Sequence, residues 1–246
     1  MNSSPVFVVG APRSGTTLLA SAIASHPEFT SGPETHFFSK TTERQRERAA
    51  GDVNWPSRAV ALLGGLELAG QRVIELFGVT EAELVEYLKH GEPALARILA
   101  SLFEAGDRSS ATRWVEKTPN HILHIPEIAK HFPHAIIVHV VRDPRDVARS
   151  MTHLPWATPS RLSNSWLWLS WITRLERDLM TLGDISLITV RYEDFLSNPE
   201  SELVRLCKAF SVAFDPGMLQ PEKIGQSLAS KAEVWKSKNS TPIDPK

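Results

Sequence analysis

Two glycines five positions apart, Gly10 and Gly15, bracket Ala11-Pro12-Arg13-Ser14 and are followed by Thr16 and Thr17. A loop of this spacing between a strand and a helix turns successive backbone N–H groups toward an anion and adds the positive end of the helix behind it. The version that holds nucleoside triphosphates needs a Lys after the second glycine for the β- and γ-phosphates, then a Ser or Thr for Mg²⁺. Thr16 stands at the Lys position. The loop therefore suits a ligand with one phosphate-like anion and no obligate Mg²⁺, and Arg13 supplies positive charge from inside it. A glycine-rich turn that binds nothing is the plain alternative.

Other residues could join this chemistry. In Val141-Arg142-Asp143-Pro144-Arg145-Asp146-Val147-Ala148-Arg149-Ser150, the guanidinium of Arg142 and the hydroxyl of Ser150 can grip a dianion. The same charges also read as an ordinary helix start. Glu34 and His36 are rival proton acceptors, and if residues 34–38 are extended the two side chains point the same way. Lys117 is either a charge-neutralising group or half of a surface ion pair with Glu116. Tyr192 either touches a ligand or packs the core at a strand end. His121 with His124, and His131 with His134, have a spacing that could bind metal. With no acidic or thiolate partner evident beside them, they read as surface or capping histidines, and no metal is expected.

Taken together, these motifs resemble the sulfotransferases that use 3′-phosphoadenosine 5′-phosphosulfate (PAPS). The carbohydrate and protein-tyrosine branches carry Pro-Arg-Ser-Gly-Thr-Thr, as residues 12–17 do here, and the Arg142 to Ser150 segment matches the second family motif. The resemblance implies that Arg13, Ser14, Gly15, Thr16 and Thr17 bind the 5′-phosphosulfate and that Arg142 and Ser150 hold the 3′-phosphate. Arg191-Tyr192-Glu193-Asp194-Phe195 resembles an element that closes over the nucleotide, which makes Tyr192 a contact. Ser230 and Lys236 loosely match a further loop of the tyrosine branch. The small-molecule branch takes its base from Lys-Thr-His, but this chain has Lys117-Thr118-Pro119. Ser31-Gly32-Pro33-Glu34-Thr35 resembles the Gly-Glu-Glu-Thr segment of the other branches, so Glu34 is favoured as base over His36. Lys117 matches the lysine that neutralises the bridging oxygen. The implied activity is in-line sulfuryl transfer to a small-molecule, carbohydrate or peptide hydroxyl, releasing adenosine 3′,5′-bisphosphate. A P-loop kinase or NTPase with an atypical loop, and an inactive nucleotide-binding protein of this fold, are the competing readings.

Elements must position these groups. Pro5–Gly10, Ala135–Val141 and Ile185–Val190 are short apolar runs rich in β-branched residues, which read as buried parallel strands, and Arg113–Glu116 reads as a fourth. Thr16–Ser25 reads as a helix, and Asp143-Pro144 as the start of another. Interleaved strands and helices predict an α/β fold: a P-loop-like central parallel sheet flanked by helices. Residues 41–110 show helical spacing at Glu81–Leu88 and Pro93–Ala105 but no strand signal, and read as a helical insert on the acceptor side, lying over one end of the sheet. Ser160–Leu182 is a long helix with Trp166, Leu169, Ile172 and Leu175 as its core-facing stripe. The tail 237–246 is polar and is expected to be mobile.

The whole chain of 246 residues reads as one domain, with 27 Lys plus Arg against 28 Asp plus Glu. A net charge of -1 argues against nucleic acid as a partner, which needs a basic face, but leaves room for a basic pocket. The single cysteine, Cys207, sits in a helical pattern and reads as a buried structural thiol. No apolar run approaches a membrane span or a signal-peptide core, so the expected location is cytoplasmic, unlike the anchored Golgi-type proteins whose motifs it shares. Oligomeric state is left open.

Overall fold

The computed structural model describes residues 4–106 and 111–221. The chain opens with β1 (Val6–Gly10), α1 (Thr16–Ala24) and β2 (Phe29–Ser31). The insert follows as α2 (Glu43–Ala50), α3 (Ser57–Gly64), a small hairpin of β3 (Glu67–Leu68) and β4 (Gln71–Arg72), then α4 (Val73–Leu76), α5 (Glu81–Lys89) and α6 (Leu95–Glu104). The second half runs β5 (Arg113–Lys117), a 3₁₀ segment (Pro119–His124), α7 (Ile125–His131), β6 (Ile136–Val141), α8 (Pro144–Met151) and α9 (Arg161–Thr181). It closes with β7 (Ser186–Arg191), α10 (Tyr192–Ser197), α11 (Pro199–Phe210) and a 3₁₀ turn.

β1, β2, β5, β6 and β7 form one sheet in the order β2-β5-β1-β6-β7, and every pairing in it is parallel. The four strands expected from the sequence are all present within a residue or two. β2 escaped because three residues carry too little pattern to register. The insert holds a strand pair where none was expected; its turn, Ala69 and Gly70, has positive φ at both positions, the geometry that closes a two-residue hairpin.

Successive residues of the central strands serve opposite faces. Val6, Val8, Val138 and Val140 pack with Leu19 and Ile23 of α1 and Leu203, Leu206 and Phe210 of α11. Phe7, Val9 and Ile137 pack with the insert, α7 and α9. Phe103 of α6 stacks on Trp114 at 4.7 Å, and Phe7 meets Trp114 edge-on at 5.6 Å. The insert thus packs against one face of the sheet, with its core continuous with that of β1.

The stripe expected on α9 is partly corrected. Leu175 is buried, but Trp166 and Leu169 are exposed, and the inward line runs through Asn164, Trp168, Trp171, Leu175 and Asp178. Two polar residues can hold inward positions because each is bonded: Asn164 Nδ2 donates to the Ala148 and Thr158 carbonyls, and Asp178 accepts from Arg174. Cys207 is buried with Met218 beside it, as expected. Among the described residues, no helix is long and apolar enough to cross a membrane.

Candidate active site

The C-terminal ends of β5, β1 and β6 lie side by side in the sheet, and each delivers one part of the site. After β1, the loop makes its turn with Arg13 at φ 72° and Gly15 at φ 95°. Gly10 is required for close approach: a Cβ there would stand 2.4 Å from the Val140 carbonyl oxygen of β6. α1 begins at Thr16 with no side chain capping its first N–H groups. Ser14 is fully buried, and its hydroxyl has no hydrogen-bond partner among the described residues. A buried hydroxyl beside unclaimed backbone N–H groups is the donor set that an anion would satisfy.

The end of β6 supplies Arg142. Its Nη1 donates to the Arg13 carbonyl at 3.2 Å, and its guanidinium lies 4.5 Å from the centre of the Tyr192 ring. Its Nε is buried and has no hydrogen-bond partner among the described residues. Ser150, on α8, accepts a hydrogen bond from Arg13 Nε at 3.0 Å. The loop arginine thus touches the residue expected at the 3′-phosphate, and the two anion motifs meet through Arg13. Tyr192 fits against Gly15 so closely that a Cβ on that glycine would fall 2.2 Å from the ring. The Arg142–Ser150 segment is a helix start, as one of its two readings expected. Asp143 caps α8 by accepting from the Arg145 N–H, and its hydrogen bonds with Arg145 pull its carboxyl down to about 2, while Arg142 turns toward the loop.

The end of β5 supplies Lys117, whose side chain is fully buried and whose Nζ lies 3.1 Å from Glu34 Oε1. His36 Nε2 stands 3.2 Å from Glu34 Oε2. The two rival bases therefore share one place, although not for the reason expected: residues 34–38 are a loop and turn, with His36 at φ 49°, rather than extended chain. Lys117 pairs with Glu34, which corrects the alternative of a surface pair with Glu116.

Glu116 serves a second, wholly buried cluster that the sequence did not reveal. Its Oε1 accepts from the hydroxyls of Thr35 and Thr118 at 2.7 and 2.6 Å, and its Oε2 accepts from His121 Nδ1 at 2.9 Å. Burial pushes the Glu116 carboxyl up, but His121 and the two hydroxyls outweigh it and leave the group below its ordinary range. His121, expected at the surface or as a cap, is therefore an interior residue. The signal available was a charged pair, Glu116 and Lys117, at the end of Arg113-Trp114-Val115-Glu116-Lys117, a strand covered on both faces. Among the described residues, no group of three or more His, Cys, Asp or Glu is arranged to hold a metal. Ser230, Lys236 and the tail lie outside the described residues.

A model of the sulfotransferase family matches residues 5–216. The chain belongs to that family. Similar proteins include a putative protein-tyrosine sulfotransferase of Caenorhabditis briggsae, 24% identical over 89% of this chain and 69% of its own length. Another is protein-tyrosine sulfotransferase 1 of Danio rerio, 25% identical over 89% of this chain and 56% of its own length. The chain thus spans little more than half the length of several of the relatives it matches. The fold is shared with solved structures: the sulfotransferase domain of the Synechococcus PCC 7002 olefin synthase, with TM-score 0.64 and 24% identity over 99% of this chain and 86% of that one. The sulfotransferase domain from the curacin biosynthetic pathway gives TM-score 0.63 and 22% identity, over 98% of this chain and 84% of that one. These sulfotransferases share the central parallel sheet and flanking helices described above.

Proposed function

We propose that this sulfotransferase uses PAPS as donor and an alcohol or phenol as acceptor, with Glu34 as the base and without a metal. The observation that carries the proposal is that two parts lie at the ends of neighbouring strands: the Gly10–Gly15 loop tied through Arg13 to Arg142 and Ser150, and a buried carboxylate–lysine pair, Glu34 with Lys117. PAPS, when bound, supplies the sulfuryl group and a 5′-phosphate as leaving group. The backbone from Ser14 to Thr17 and the Ser14 hydroxyl bind its 5′ end. Arg142 and Ser150 hold the 3′-phosphate, and Tyr192 braces Arg142 against the loop. Glu34 accepts the proton of the acceptor hydroxyl, and Lys117 and Arg13 offset the negative charge that develops during transfer.

Thr16 at the lysine position supports PAPS over a nucleoside triphosphate with Mg²⁺. The relatives named as protein-tyrosine sulfotransferases make a tyrosine hydroxyl the first acceptor class to try. The test is twofold: thermal shift with adenosine 3′,5′-bisphosphate against ATP with Mg²⁺, and transfer from labelled PAPS to a panel of tyrosine peptides, pyranosides and aliphatic alcohols, with and without EDTA. Stabilisation by the bisphosphate and EDTA-insensitive transfer are expected. Stronger stabilisation by ATP with Mg²⁺, and no transfer to any acceptor, would overturn the proposal.

A further inference from the structure

The loop that carries Glu34 has no strand to pair with between residues 34 and 38, yet four consecutive backbone N–H groups in it are bonded. The Thr35 and His36 N–H groups both donate to Thr118 Oγ1, at 3.1 and 3.3 Å. The Phe37 N–H donates to Thr35 Oγ1 at 3.3 Å, and the Phe38 N–H to His121 Nε2 at 3.3 Å. Every one of these acceptors is itself anchored on Glu116. The Thr118 hydroxyl donates its proton to Glu116 Oε1, so its one donor and both acceptor positions are used. Because His121 Nε2 accepts, Nδ1 carries the proton and donates to Glu116 Oε2. Thr118, Glu116 and His121 are all completely buried.

Loops that run through a protein interior must find partners for each peptide group. Here a single carboxylate organises those partners for the segment immediately after Glu34, while the next residue on the same strand, Lys117, engages the Glu34 carboxylate itself. We propose that Thr118 is the positioning residue for Glu34: its hydroxyl fixes the loop backbone at Thr35 and His36, and so sets where the Glu34 carboxylate stands. This rests on Glu34 being the base. A hydroxyl is the smallest group that can accept two N–H groups and donate to a carboxylate at once, which is why neither a valine nor an alanine can replace it.

The experiment compares wild type, Thr118→Val and Thr118→Ser. Hydrogen exchange at the Thr35 and His36 amides needs no acceptor; both should exchange faster in T118V while amides of β1 and α1 keep their protection. With whichever panel hydroxyl gives turnover in the wild type, kcat of T118V should fall by about ten- to a hundredfold, the scale of a reacting group misplaced by about 1 Å. Adenosine 3′,5′-bisphosphate affinity and the KM for PAPS should stay within about twofold, and T118S should recover most of the rate. The proposal is overturned by any of three results: T118V turning over at the wild-type rate, bisphosphate affinity falling in step with kcat, or T118S being no better than T118V. A T118V that does not fold leaves T118S, whose unchanged amide exchange and rate are required; loss of both there also overturns it. Wild type that transfers to no acceptor refutes the proposed function instead, and is seen in a separate arm.

Discussion

Glu116 and Lys117 are neighbours in sequence, but one secures backbone and the other a carboxylate. Replacing Glu34 with Gln retains the shape of the side chain and removes its proton affinity. Turnover should fall by about a hundredfold or more, the usual contribution of general base catalysis, with bisphosphate affinity retained; steady-state kinetics and calorimetry check the two halves. His139, on β6, is a residue of another kind. Burial lowers its pKa to about 4, and its Nε2 has no hydrogen-bond partner among the described residues. Its folded pKa lies below its unfolded value near 6.5, so the unfolded chain binds the extra proton between those limits. The resulting stability is complete above about pH 6.5 and is lost as the pH falls toward 4. His139→Leu should therefore flatten the decline of Tm between neutral and acid pH, and a Tm profile as steep as wild type would refute this role.

Elements carry constraints that single residues do not show. Gly15 joins the loop to α1 and also receives the Tyr192 ring, so β1 and α10 can meet only if that position lacks a side chain. Gly15→Ala should displace Tyr192 and with it Arg142, weakening adenosine 3′,5′-bisphosphate binding by at least about tenfold (~1.4 kcal/mol), as titration calorimetry would show. A second joint holds the insert to the site. Arg46 of α2 is buried, pairs with Glu127 of α7 through Nε at 2.7 Å, and donates to the carbonyls of Phe38 and Thr41. Arg46→Met should destabilise by about 3 kcal/mol because Glu127 loses its countercharge in a largely buried place. Adding Glu127→Leu should return part of this, and denaturant unfolding would measure how much. The shortfall belongs to the carbonyls of the loop's end. The sequence offered no sign of this joint, because an arginine in Glu43-Arg44-Gln45-Arg46-Glu47-Arg48 looks like any other on a solvated helix.

For the molecule as a whole, the balance of charges has a measurable side. Net charge is -1, yet Arg13, Lys117 and Arg142 are gathered around the site. Raising salt from about 50 to about 500 mM should weaken bisphosphate binding several-fold, whereas the protein should pass a heparin column without retention at moderate salt. Much of the sheet was legible because buried parallel strands are continuous apolar runs, and both family motifs were legible because they fix residue types at fixed spacing. The Glu34 loop was legible only as residues, not as conformation: most acceptors of its N–H groups are more than 80 positions away, and they are side chains rather than a strand. α9 misled for a different reason, since its apolar residues lie on several sides and two polar residues took inward places.

The strand order has one more consequence. β5, β1 and β6 are consecutive in the sheet, and their tips carry Lys117, the loop and Arg142 in that sequence. Adjacent strands stand about 4.8 Å apart, a distance set by backbone hydrogen bonds and not by side chains. The C-terminal end of the sheet therefore works as a ruler with three graduations, against which, on the proposed function, a donor's two charged ends would be gauged. Donor analogues with those ends closer together or further apart should bind more weakly, and substitutions that leave the strand pairing intact leave the backbone spacing of the three tips unchanged.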